Sequence, residues 1–218
     1  MGSKVEQSSF KPEYFSEYFP IGSTRTSHTF KEMLSPSSYL DFAKFDLSDG
    51  QEDRNLINAV GNAKRAFHFQ VESVSQVFGW EKVYGNKNIG FPKRLEFLAS
   101  CGVLSPNILK KLNRKRNDIE HDYFVPNFDE VEDYIDIVEL FLMATRDFLA
   151  NYPEHVEFEL MEDEQYDKTL ALPKIISVEM DMYKGELVIS AKDMSISKVI
   201  KDKDYFDWLS AVIVQMYL

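Results

Sequence analysis

Five of the seven residues from Lys110 to Arg116 are basic, and the run continues Arg116-Asn117-Asp118-Ile119-Glu120-His121-Asp122-Tyr123. Lysines and arginines such as Lys110, Lys111, Arg114 and Lys115 neutralise phosphates. An arginine also holds a phosphate through two parallel hydrogen bonds and stabilises a charged transition state. A histidine titrates near neutral pH and can move protons. RNA supplies its own nucleophile, the 2′-hydroxyl that DNA lacks. Arg116 with His121 is therefore a minimal kit for cutting RNA, with no metal and no other cofactor expected.

Geometry adds a condition. On an ideal helix Arg116 and His121 stand about 140° apart around the axis. Asn117 and His121, four residues apart, share a face, and Arg116 and Tyr123 nearly share one. One helix thus offers an awkward cleft. Two copies facing each other across a dyad would pool two arginines and two histidines, which predicts a homodimer with an isologous interface. The bland alternative is that Arg116 and His121 are cations favoured near a helix C-terminus.

The elements that must position these residues are read from periodicity. Residues 1–36 mix aromatics with Ser, Pro and Gly, as in Phe19-Pro20-Ile21-Gly22-Ser23, and read as an irregular arm packing its aromatics on a later core. A short helix over Ser37–Phe45 precedes a breaker at Ser48-Asp49-Gly50. From Gln51 to Phe78, the residues Leu56, Ile57, Val60, Ala63, Phe67, Val71, Val74 and Val77 recur at helical spacing. Gly79 ends that helix, and Gly85–Gly90 reads as a loop. A second bundle helix spans Pro92–Ser100. A third starts at Ser105-Pro106 and stops near His121. A fourth starts at Asp129 and Glu130, carries Val131, Tyr134, Ile135, Val138, Leu140, Phe141, Leu142 and Phe148, and ends near Tyr152.

After Pro153 the period becomes two. Val156, Phe158 and Leu160 alternate with polar neighbours, as do Ile176, Val178, Met180 and Met182. A hairpin turn at Tyr183–Glu186 returns through Leu187-Val188-Ile189, and a last helix covers Asp204–Tyr217. The expected class is mainly α. It has an irregular arm (1–36), an antiparallel four-helix bundle (37–152), and a small antiparallel sheet plus helix as a C-terminal extension (153–218).

The run Arg-Asn-x-x-x-His on the penultimate helix of such a bundle resembles the HEPN superfamily over roughly Gln51–Tyr152. Its longer form, Arg116, four residues, His121, one residue, Tyr123, looks like HEPN toxins paired with nucleotidyltransferase antitoxins. The resemblance implies a metal-independent endoribonuclease, active as a dimer, in toxin–antitoxin or phage-defence biology. Arg116 would polarise the scissile phosphate and His121 would act as general base or acid, leaving a cyclic phosphate end. Asn117 would orient one of these groups. Tyr123 would contact substrate or be the residue to which the antitoxin adds AMP. A second reading is a non-catalytic HEPN-like scaffold whose acidic sheet engages a protein partner.

Composition bounds the setting. The chain has 218 residues and a net charge of −11. Residues 51–125 carry 12 basic and 8 acidic side chains, whereas 126–218 carry 8 and 21. Only the middle third is basic, so RNA is expected there alone. No apolar run approaches the roughly 20 residues that span a bilayer. The N-terminal residues have neither a signal-peptide core nor a myristoylation pattern. Cys101 is the only cysteine, expected to be a small buried residue in a reducing cytoplasm. His68 reads as core or groove lining, and Glu72 and Asn58 as a solvated face of the long helix. His28 and His155 have no metal-ligand spacing around them.

Overall fold

The computed structural model describes residues 10–29, 34–85, 87, 89–105, 107–108, 111, 114, 126–161 and 168–217. Five strands form one antiparallel sheet in the order β1-β2-β3-β4-β5. They are β1 (Tyr18–Thr26), β2 (Tyr152–Leu160), β3 (Ile175–Asp181), β4 (Glu186–Ala191) and β5 (Met194–Val199). Between β1 and β2 lie α1 (Pro36–Asp49), α2 (Asp53–Val77), α3 (Trp80–Tyr84), α4 (Phe91–Ser100), α5 (Phe128–Thr145) and α6 (Asp147–Ala150). The helix α7 (Tyr205–Tyr217) follows β5.

This corrects the expected mainly-α class. The chain is not a four-helix bundle with a small sheet appended at its C-terminus. It is an α+β fold whose sheet begins in the N-terminal arm, so β1 and β2 bracket α1 to α6 in sequence. The reason lies in β1. It is an edge strand paired only with β2, so Pro20 breaks no ladder on its free side. Register shifts at Pro20/Gly22 and Thr24/Arg25 interrupt it. Only Tyr18 is buried along it, which leaves no alternation to read. The far edge, β5, has no buried residue.

The helices form where their ends are capped and one side is apolar. Ser35 and Ser38 make a capping box ahead of α1, with Pro36 in its first turn. Along α2, the fully buried Ala59, Ala63 and Ala66 let neighbours approach, and Phe67, Val71, Val74 and Val77 continue the stripe. Ile57 and Leu140, expected on apolar stripes, are instead exposed. Polar ties fix the helices against one another. Asn62 Nδ2 donates to Asp46 Oδ2 at 2.8 Å, joining α2 to α1. Gln70 Nε2 donates to Thr145 Oγ1 at 2.7 Å, and that hydroxyl donates to the Phe141 carbonyl, joining α2 to α5.

The inner sheet face presents Val156, Phe158 and Leu160 beside Ile176, Val178, Met180, Leu187 and Ile189, all buried. The arm does pack its aromatics on a later core. Phe10 stacks on Trp208 of α7, with ring centroids 6.1 Å apart, and Phe15 meets Phe158 edge-on at 5.6 Å. Burying each such ring is worth roughly 2–3 kcal/mol. The buried apolar residues form one cluster running from Phe10 to Ile213. Among the described residues no helix is long and apolar enough to cross a membrane.

Asp204 ties β5 to α7. It accepts hydrogen bonds from Lys198 Nζ at 2.6 Å and Trp208 Nε1 at 3.1 Å. The lysine bond, aided by the indole, holds the carboxyl below its ordinary value of 3.8. A depressed folded value means that this stabilisation is complete above the unfolded pKa and is lost as pH falls through the folded one. Asp204→Asn is expected to lower Tm by about 2–4 °C at pH 7. Thermal scans should show the gap to wild type closing only below about pH 4.

Candidate functional site

The ends of the segment that carries the Arg/His run are well defined. α4 stops at a left-handed Gly102, φ 80°, with the Val103 N–H donating to the Leu98 carbonyl at 3.2 Å. The Ile108 N–H then donates to the Ser105 carbonyl at 3.0 Å. On the far side, Asn127 and Glu130 exchange two 3.0 Å hydrogen bonds in a capping box that starts α5. Within the segment Asn107, Ile108, Lys111 and Arg114 are helical. Lys111 and Arg114 are both exposed, and residues three apart on a helix are neighbours on its surface. Of the residues expected to bind or cut RNA, Lys110, Lys115, Arg116, Asn117, His121 and Tyr123 lie outside the described residues.

A second basic feature lies on α2. Its exposed and half-buried positions fall at three- and four-residue steps: Ile57, Asn58, Gly61, Lys64, Arg65, His68 and Glu72. From Gly61 to Glu72 this stripe floors an open groove of about 750 Å³, walled by Leu34 and Tyr39. The Arg65 guanidinium donates to Asn62 Oδ1 at 2.9 Å, so it is positioned by the pair that joins α1 to α2. His68 stacks on Phe91 of α4, with ring centroids 4.1 Å apart and planes 19° from parallel. It lines the groove rather than filling the core. Glu72 closes one end, 3.7 Å from Arg94, whose guanidinium lies over the Trp80 ring at 4.6 Å. Asn58 and Glu72 are solvent-facing.

Gly61 is the unusual residue of the stripe. A glycine inside a helix costs about 1 kcal/mol relative to alanine. A Cβ built there would meet nothing within 4 Å. Nothing in the described fold requires glycine at this position.

The sequence reading left Gly61, Lys64 and Arg65 unassigned. The only signal was a basic pair beside a helix-interior glycine, and it becomes a groove only when Tyr39 of α1 stands opposite.

The remaining titratable groups are structural or superficial. Cys101 is fully buried, which pushes its thiol well above the usual value. His28 shares a 2.9 Å hydrogen bond with the Tyr183 hydroxyl, pinning the chain after β1 to the β3–β4 turn. His155 sits on the outer sheet face opposite Glu179. Among the described residues no group of three or more His, Cys, Asp or Glu side chains is placed to hold a metal ion. The chain gives no significant match to any family model, curated protein or solved structure.

Proposed function

We propose that this chain is a metal-independent endoribonuclease of HEPN type, acting as a homodimer in a reducing cytoplasm. The observation that carries the reading is Arg116-x4-His121-x-Tyr123 closing the Lys110–Arg116 basic run in a chain whose net charge is −11. The reading rests on that motif and not on a four-helix frame, which this fold does not have. The exposed, helical Lys111 and Arg114 support it, because they are placed to meet phosphates.

In the proposed reaction His121 of one protomer takes the proton of the 2′-hydroxyl. The oxygen attacks the adjacent phosphorus, and the bond to the 5′-oxygen breaks. Arg116 holds the phosphate as negative charge builds, with Asn117 orienting the His or the phosphate. The histidine of the other protomer returns a proton to the leaving oxygen. The products are a 2′,3′-cyclic phosphate and a 5′-hydroxyl. A nucleotidyltransferase that added AMP to Tyr123 would silence the site, which fits toxin–antitoxin or phage-defence use.

The outer sheet face favours a second reading. Glu157, Glu159, Glu179, Asp181 and Glu186 share it, a surface suited to a basic protein partner of a non-catalytic scaffold.

One substrate change separates the two. In EDTA, wild type is expected to cut an all-ribose oligomer. The same oligomer with a single 2′-deoxy nucleotide at the cut position should stay intact there. Cutting at the deoxy position, or no cutting of either strand, overturns the mechanism.

A further inference from the structure

The groove on α2 has the chemistry of a single-strand binding surface. Cations and aromatic rings line it together with Gly61: Tyr39, Lys64, Arg65, His68 and Phe69, with the Glu72 carboxylate at one end. Cations that track a backbone, interleaved with rings on which bases stack, bind single strands with little sequence preference. Elsewhere the chain is strongly acidic, so a polyanion is admitted at few places. Gly61 supplies the second observation. It leaves the groove floor without a side chain, although the helix alone would be better served by alanine. A helical position with no side chain, over open space, leaves room for the close approach of a ligand backbone.

We propose that this groove holds the single-stranded RNA on its way to the cutting residues. Lys64 and Arg65 contact phosphates, and Tyr39 and Phe69 stack on bases. This rests on the ribonuclease reading for its choice of RNA but not for its geometry.

The test uses the full chain carrying His121→Ala, a fluorescein-labelled single-stranded RNA and EDTA, with binding read by anisotropy. Adding Lys64→Glu and Arg65→Glu is expected to weaken binding at least about tenfold and to flatten the log K against log salt slope by about 1.4. Gly61→Trp should abolish binding by filling the floor. Gly61→Ala should weaken binding less than Gly61→Trp and raise Tm by about 2–4 °C, which guards against a loss caused by misfolding. Unchanged binding by the charge-reversed chain and by Gly61→Trp overturns the groove, as does a parent chain that binds no single-stranded RNA. If groove variants lose binding while wild type cuts nothing, the groove stands and the ribonuclease reading falls. If wild type cuts RNA and groove variants bind normally, the reverse holds.

Discussion

Alanine at His121 or Arg116 is expected to lower the single-turnover rate of the proposed RNA cleavage by about 10²–10⁴-fold, the range that general acid–base catalysis and a lost charge clamp each supply. In the proposed reaction the two groups act on the same phosphate, so the double variant is expected to be little worse than the worse single one. The equilibrium affinity for single-stranded RNA should change far less, because the backbone contacts are proposed to lie on Lys111, Arg114 and the α2 groove. If both singles cut at the wild-type rate, the run is a pair of surface cations and no more. Mixing the two inactive singles offers an additional readout. Mixed dimers hold one Arg116 and one His121 but lack the second histidine that returns the proton, so the mixture should regain only part of the activity if the site spans two chains.

Gly185→Ala is expected to destabilise the fold by roughly 2–5 kcal/mol, a large part of the roughly 5–15 kcal/mol that holds a domain together. Two costs combine. Gly185 has φ 71°, a backbone conformation that costs a residue with a Cβ roughly 1–2 kcal/mol. That Cβ would also stand 2.6 Å from the Ile200 Cβ and 2.9 Å from its Cγ2. Ile200 is branched at the very atom in contact, and its N–H donates to the Gly185 carbonyl at 2.8 Å. It has little room to retreat, and such overpacking costs about 1–3 kcal/mol. The Gly185 N–H closes the β3–β4 turn onto the Asp181 carbonyl at 2.7 Å, so the strain enters the sheet directly. Urea denaturation of Gly185→Ala beside Gly61→Ala, whose Cβ meets nothing, separates the two kinds of glycine. Equal midpoints for the pair would contradict this account of the turn.

Those two glycines also mark where the sequence was readable and where it was not. The helix α2 was legible because Ala63, Phe67, Val71, Val74 and Val77 repeat at helical spacing and all face the core. The strands β2 to β4 were legible because Val156, Phe158, Ile176, Val178, Leu187 and Ile189 are buried and alternate with exposed or half-buried neighbours. What failed was the assignment of the fold as a bundle with an appendage. That needed β1, whose Pro20 and Gly22 mimic a loop and whose edge position removes any alternation. The short α3 was hidden for a related reason: its five residues follow a left-handed Gly79, which reads as an end and not as a restart. The chemistry of the candidate site was legible as one contiguous run, Lys110 to Tyr123. The groove was not, because Tyr39 and Lys64 belong to different helices and meet only after α1 packs on α2.

The central claim is that RNA is cut by Arg116 and His121 with the 2′-hydroxyl as nucleophile and no metal. Its most direct measurement is the single-turnover rate of RNA cleavage by wild type in excess EDTA, with the product ends identified. The account predicts cleavage at a rate that EDTA does not change, yielding 2′,3′-cyclic phosphate ends. Cleavage that appears only when Mg²⁺ is restored, or no cleavage in either condition, would contradict it.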